Sequence, residues 1–350
     1  MGSFKKHFII PVFLPNVGCP HQCVFCNQSA ITGKKRNLPS PKQIHSWINE
    51  FLKYKGKKRN KVQISFYGGN FLGLKRNHIQ SLLHEATKFV QSGTVGSIRF
   101  STRPDTIDKE RLDSIKNFPV STIELGVQSM DDQVLSMSQR GHTSLDTEKA
   151  VNLLKKEKYE IGLQMMVGLP GDDESKSLAS GRKIADLSPD FVRIYPTVVL
   201  GNSLLAKWYK NGKYTPLPFD ACISLVKKLY LLFKKRNIKV VRMGLQISKD
   251  LEKDATIIAG PYHPAFGHIV YSEIFFDMAV TIIKSEKALP EILFIKVNPK
   301  SVSKMRGLKN RNIMTLKKMF NIKSLKIFSD PSLAENSLTI TDFPPSFKQE

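Results

Sequence analysis

Three of the chain's four cysteines fall close together, at Cys19, Cys23 and Cys26 in the run Gly18-Cys19-Pro20-His21-Gln22-Cys23-Val24-Phe25-Cys26-Asn27. Thiolates are soft metal ligands and redox groups, and this spacing admits three chemistries. A structural zinc ion needs a fourth ligand, and His21 lies inside the loop, where simultaneous binding is awkward. A redox dithiol uses two cysteines and leaves the third unexplained. An iron–sulfur cluster takes one thiolate on each of three irons and leaves a fourth iron open. The remaining cysteine, Cys222, stands between Ala221 and Ile223 in an amphipathic stretch and reads as a packing residue.

Such a loop has to be carried by something rigid, and the neighbouring pattern supplies it. The apolar run 8–14 predicts a strand that ends at the cysteines, where chemistry sits in α/β proteins. Strands are expected again over 61–67, 97–101, 121–127, 159–167 and 191–196. Helices are expected from Pro41 and over 77–91, 108–117, 144–156 and 174–187. Six strands alternating with helices predict a parallel sheet with helical crossovers, curved into an incomplete (β/α)6 barrel. Beyond Pro196 the rhythm is lost. A loop over 201–218, a helix over 219–235 and a strand over 239–243 are expected to close one flank. The reading divides the chain into a barrel with its flank, 1–247, and a small C-terminal α/β domain, 248–350. A loop rich in Gly, Pro and aromatics over 259–267 falls near the start of the second.

The 350 residues can bury a substantial core, and 41% apolar content is ordinary for a globular protein. Charge is not ordinary. Lys and Arg outnumber Asp and Glu by 54 to 30, a formal charge of +24 that favours phosphate-rich partners. Clustered rather than dispersed cysteines argue against a disulfide framework. No signal-peptide pattern and no run of about 20 uninterrupted apolar residues is read, so a cytoplasmic protein with no membrane partner is expected.

A tight CxxxCxxC with Phe25 before its last cysteine, after the first strand of a β/α series, resembles the radical S-adenosylmethionine (SAM) superfamily. The glycine pair in Gly68-Gly69-Asn70, after the second strand, adds to the resemblance. It covers about residues 7–200. It implies a [4Fe–4S] cluster on Cys19, Cys23 and Cys26 and SAM chelated to the open iron through its amino and carboxylate groups. A low-potential electron donor is implied too, and with it reductive cleavage of SAM to a 5′-deoxyadenosyl radical. Glycines at 68 and 69 would let backbone approach the cofactor's amino group, with Asn70 beside them. Similarity to the coproporphyrinogen-oxidase-like branch implies Gln128 and Gln164 at the SAM ribose and Arg140 at its carboxylate, where a guanidinium fork fits. Ser101 stands where that branch has an acid. Glu124, facing away from Leu125 in its strand, is an extra candidate, and Ile194 and Tyr195 are candidates to flank adenine.

Several motifs look like the radical SAM half of the Elongator catalytic-subunit family of tRNA wobble-uridine modifiers. These are Phe66-Tyr67-Gly68-Gly69-Asn70-Phe71, Ser101-Thr102-Arg103-Pro104-Asp105, Glu124-Leu125-Gly126-Val127-Gln128-Ser129, Arg140-Gly141-His142-Thr143 and Arg193-Ile194-Tyr195-Pro196-Thr197. The stretch after the barrel is too short for that family's acetyltransferase domain. The order strand, helix, Gly307-Leu308-Lys309-Asn310, helix, strand is similar to a KH module, whose GxxG loop grips nucleic-acid backbone; Arg306, Lys309 and Arg311 ring it here. The expected activity is radical modification of a nucleoside in RNA, with tRNA as the substrate partner. Two alternatives stand beside it: a radical SAM enzyme for a small metabolite such as a porphyrin, and a zinc-dependent RNA-binding protein without catalysis.

Overall fold

A computed structural model describes residues 8–14, 17–20, 22–28, 38–56, 61–245, 256–286 and 289–341. His21 lies outside them. The chain forms two compact units, Met1–Tyr262 and His263–Glu350. This division falls after the expected 247/248 boundary because Ile257–Ala259 pairs with Val199–Leu200 and so belongs to the first unit.

The first unit is a seven-stranded sheet, parallel throughout, of strands β1 (Phe8–Leu14), β2 (Val62–Gly68), β3 (Ser97–Thr102), β4 (Val120–Gln128), β5 (Glu160–Val167), β6 (Phe191–Pro196) and the strand Lys239–Met243. Spatial order follows chain order, as expected of a curled half-barrel built by successive crossovers. The last strand, expected to close a flank, does so as a seventh barrel strand parallel to β6. Two short strands, β7 (Val199–Leu200) and β9 (Ile257–Ala259), stand apart from this sheet, and Lys239–Met243 is therefore β8.

Alternation sorts the strand residues into two faces. Ile10, Val12, Ile64, Phe66, Ile98, Phe100, Ile123, Leu125, Leu163, Met165, Val192 and Ile194 are buried almost completely. The opposite face carries Gln63, Tyr67, Arg99, Glu124, Gln164, Arg193 and Tyr195, a polar set that a sheet covered by helices on both faces would not tolerate. Ile194 belongs to the apolar face and is fully buried, leaving Tyr195 on the polar one.

Crossover helices begin where the sequence caps them. Ser40 and Gln43 form a capping box on α1 (Pro41–Lys53), and Thr143 with Asp146 does the same for Ser144–Lys156. Helix α2 spans Arg76–Gln91 and α3 spans Lys109–Ile115, the latter capped by Asp108. A six-residue helix, α4 (Asp132–Met137), precedes Ser144–Lys156, which is α5; α6 is Glu174–Asp186. The expected 201–218 loop holds a helix, α7 (Leu204–Lys210), capped by Ser203, before α8 (Phe219–Lys235), where Cys222 is fully buried as a packing residue.

The second unit packs α9 (Phe266–Ser285) against a three-stranded sheet. Strand β10 (Ile292–Val297) runs parallel to β11 (Ser324–Ser329) and antiparallel to β12 (Leu338–Thr341). Phe275, Ala279 and Ile283 of α9 join Leu293, Ile295, Val297 and Leu316 in one core. Among the described residues α9 is long and apolar enough to cross a membrane by length and composition, but its apolar stripe is occupied by this core. Two short helices, α10 (Val302–Arg306) and α11 (Arg311–Met319), flank the turn 307–310, where Gly307, Lys309 and Asn310 all have positive φ, of 71°, 50° and 60°. Arg306, Lys309 and Arg311 are exposed around it.

Candidate active site

The cysteine loop leaves β1 at Leu14 and is fastened at once to the end of β2. Leu14 carbonyl accepts from the Gly69 N–H (2.8 Å) and Val17 carbonyl from the Asn70 N–H (2.9 Å). A Cβ at Gly69 would lie 2.0 Å from the Val17 carbonyl oxygen, and one at Gly18 (φ +77°) would lie 2.2 Å from that of Asn70. Lack of a side chain at 69 is therefore required by the loop itself, before any cofactor is considered. Asn70 is fully buried. Its Nδ2 donates to Gly18 carbonyl (3.1 Å), while its Oδ1 accepts from the hydroxyls of Thr102 (2.6 Å) and Thr106 (3.0 Å) and the Arg103 N–H (3.1 Å). The side chain proposed to stand beside SAM thus has its polar atoms spent on joining the loop to β3.

The second half of the loop is held from the other side. Val24 donates its N–H to Ser138 carbonyl (3.2 Å) and accepts at its own carbonyl from the Leu205 N–H (2.8 Å). Its side chain is fully buried with Val199, Leu205, Ala206 and Tyr214, and Phe25 packs on the same cluster. Helix α7, which periodicity missed because it is two turns long, exists to form this wall. Cys19 and Cys23 lie between the two anchors and Cys26 just beyond the second; Cys23 is buried and Cys19 and Cys26 are partly exposed. Burial, then the neighbouring thiolates of Cys23 and Cys19, push the Cys26 thiol up to about 12, while Arg140 pulls the other way. The three sulfurs are close enough to repel when ionised.

Arg140 links the loop to the barrel. Its Nη1 donates to Cys23 Sγ (3.2 Å) and its Nη2 to the Gly126 carbonyl (2.5 Å). Arg103 Nη2 donates to the Arg140 carbonyl (2.6 Å) while Asp105 grips the Arg103 guanidinium (Nε to Oδ1 2.9 Å, Nη2 to Oδ2 3.0 Å). The Arg103-Pro104-Asp105 run is thereby a brace for Arg140. A Cβ at Gly126 would lie 2.8 Å from Arg140 Nη2 and 2.9 Å from Gln128 Nε2. At the end of β4 the register slips between Gly126 and Gln128, and Gln128 takes φ +70°, a strained conformation of the kind that gathers at functional sites. Gln164 Nε2 then donates to Gln128 Oε1 (3.3 Å). Cys23, Gly126, Gln128, Arg140 and Gln164, drawn from four segments of the chain, are brought together.

Below them lies an ion network. Glu124, on the polar face of β4, receives Arg193 Nε (2.5 Å) and Arg99 Nη2 (2.9 Å); Arg193 Nη2 also donates to the Tyr67 hydroxyl (3.2 Å), and Arg99 lies over the Phe191 ring. Burial raises the Tyr67 phenol, and Glu124 adds to the rise. Glu124 is accordingly committed to two guanidiniums. Strand register, which the sequence does not display, is what puts Arg99, Glu124 and Arg193 on one face.

His142, after Arg140, is buried with its Nε2 facing the Val127 carbonyl (3.2 Å). Burial, then Arg140 and Arg103, depress it to about 3. Since the unfolded imidazole titrates near ~6.5, the unfolded chain takes up this proton first. Stability is then expected to fall by about 1.4 kcal/mol per pH unit as pH drops from about 6.5 towards 3. Urea midpoints taken between pH 7 and pH 5 check this, and His142→Phe is expected to flatten that part of the profile.

The donor chemistry fits an iron–sulfur cluster. Three soft thiols are presented by one loop, a guanidinium donates to the Cys23 sulfur, and an all-thiol set favours iron–sulfur or zinc. Among the described residues no three His, Cys, Asp or Glu side chains are grouped so as to hold a single metal ion.

Half-barrel, glycine-backed cysteine loop and strand-end polar groups together define a class. The radical SAM superfamily model matches residues 13–178 and the Radical_SAM C-terminal domain model matches 189–275. This chain belongs to the radical SAM superfamily and is an enzyme of that class, whose cofactors are a [4Fe–4S] cluster and SAM. It is 26% identical over 255 residues to a tRNA uridine(34) acetyltransferase of Dehalococcoides mccartyi, covering 64% of this chain and 56% of that one. An uncharacterized protein of Methanocaldococcus jannaschii is 30% identical, with coverage of 63% and 70%. The fold is shared with the archaeal Elp3 of Methanocaldococcus infernus (TM-score 0.59, 19% identity, 78% of this chain and 63% of that one). This chain spans just over half the length of the tRNA uridine(34) acetyltransferases it matches.

Proposed function

We propose that this radical SAM enzyme modifies a nucleoside of tRNA, with a uridine as the first candidate. The observation that carries the reading is the alignment with proteins named tRNA uridine(34) acetyltransferase, one of which matches 75% of this chain. The formal charge of +24 supports it, since an RNA substrate is held largely through phosphates.

Cys19, Cys23 and Cys26 would hold the cluster, which when bound supplies the electron that cleaves SAM to a 5′-deoxyadenosyl radical. The chain's own work is positional. Gly68 and Gly69 offer backbone to the SAM amino group, Arg140 offers its fork to the carboxylate, and Gln128 and Gln164 meet the ribose. Asn70 and Glu124 act one step back: the first fixes the loop that carries the thiols, and the second fixes the arginines under the site. Arg306, Lys309 and Arg311 are assigned to RNA phosphates, and a low-potential electron donor of the cytoplasm completes the set of partners.

Reconstituted protein, SAM, reductant and tRNA from cells lacking the gene test this directly. A nucleoside of changed mass is expected in the digested tRNA. Formation of 5′-deoxyadenosine with every tRNA nucleoside unchanged would favour a small-metabolite substrate. Replacing Arg306, Lys309 and Arg311 together by Glu should weaken tRNA binding by at least about tenfold at low salt and leave SAM cleavage without RNA intact.

A further inference from the structure

A cavity of about 230 Å³ opens at the C-terminal end of β5 in the first unit, over the Gly168-Leu169-Pro170-Gly171-Asp172 turn. Its walls include Met137, Leu169, Asp172, Trp208, Lys213 and Tyr214. At ~30 Å³ of liquid volume per water, this is room for about eight waters, enough to admit one heteroaromatic ring. We infer that this cavity is a nucleotide subsite, taking a base of the RNA other than the one modified, stacked on Trp208 with its phosphate at Lys213. The inference rests on the RNA reading above but concerns residues other than those assigned there to SAM.

Three observations support it. An indole, a thioether and an ammonium around one opening suit an aromatic ring bearing a negative charge, because base–indole stacking is sequence-tolerant and contributes ~1–3 kcal/mol per base. The walls are built rather than incidental. Tyr214 donates its hydroxyl to the Gly168 carbonyl (2.6 Å), and the turn closes through Gly171 at φ +78°, a conformation that favours glycine. Asp172 Oδ2 accepts from the Gly168 N–H (2.8 Å) and the Ser177 hydroxyl (2.7 Å), which pins the turn beside the cavity. Position supports the assignment as well. Trp208 packs on the cluster that buries Val24 of the cysteine loop, so the subsite and the thiols share one wall.

The chain has two tryptophans, Trp47 and Trp208, so Trp47→Phe makes Trp208 the single indole reporter. Full-length, reconstituted Trp47→Phe protein is titrated with AMP, GMP, CMP, UMP and ribose 5-phosphate, and separately with tRNA. Saturable quenching by at least one nucleotide is expected, with none from ribose 5-phosphate. Adding Lys213→Glu is expected to weaken that quenching at least tenfold while RNA-independent SAM cleavage is unchanged. Equal quenching by ribose 5-phosphate overturns the base subsite in favour of an anion site. So does tRNA binding that leaves Trp208 emission unchanged. Nucleotide quenching without any tRNA binding would keep the subsite and sink the RNA reading instead.

Discussion

Arg140→Ala is expected to reduce formation of 5′-deoxyadenosine by about 10²–10³-fold, the usual cost of removing one preorganised donor from a water-poor site. The side chain is buried and bridges Cys23 Sγ and the Gly126 carbonyl, so it couples the metal-binding loop to β4. Both the loop's position and the proposed grip on the SAM carboxylate pass through one guanidinium. Arg140→Lys should recover little, because an ammonium cannot span two acceptors in a plane. Iron content separates the two jobs. Retained iron with weakened SAM binding places the loss at the cofactor; lost iron places it at the loop. A variant with near-normal cleavage would remove Arg140 from the site.

The second large effect concerns stability. Glu124→Ala leaves the Arg99 and Arg193 guanidiniums buried without a counter-charge, an arrangement that costs about 3–5 kcal/mol when one partner of a buried pair is removed. Urea unfolding would register it as a large drop in midpoint. Glu124→Gln keeps the shape and some hydrogen bonds, so it should lose less. Replacing the trio by apolar residues of similar size could restore stability, while SAM cleavage would report whether the charges also serve the chemistry above them. A wild-type midpoint in Glu124→Ala would show that the network is slack.

Much of the frame was legible from period and punctuation. Strands 8–14 and 191–196 and helices 144–156 and 219–235 are found at the expected residues, since long periodic runs with clear caps leave little choice. Helices α4 and α7 were not foreseen, being too short to show a period; each is set by a single capping residue, Asp131 and Ser203. Strand β8 was visible as a strand, but its place beside β6 is a pairing across some fifty residues that local pattern does not carry. The site shows the same split. Cysteine spacing and the glycine pair stand out by type, whereas Arg140, Gln128 and Gln164 are singled out only through the family resemblance; the structure places Arg140 against Cys23 and Gln164 against Gln128. The work of Asn70 and Glu124 was not legible, because their partners Gly18, Thr102, Arg99 and Arg193 lie 25 to 69 residues away and meet them only through strand register. Lys309 in a left-handed conformation was likewise unforeseen, since only Asn310 has the residue type that predicts it.

Anaerobic reconstitution of the full chain with iron and sulfide, followed by reduction in the presence of SAM, tests the central claim most directly. About four irons per chain, bound through Cys19, Cys23 and Cys26, and 5′-deoxyadenosine released only from the reduced protein are the results the structure predicts. Both should disappear when the three cysteines are replaced by alanine. Stoichiometric zinc with no iron, or a fully loaded cluster that never cleaves SAM, would contradict the account.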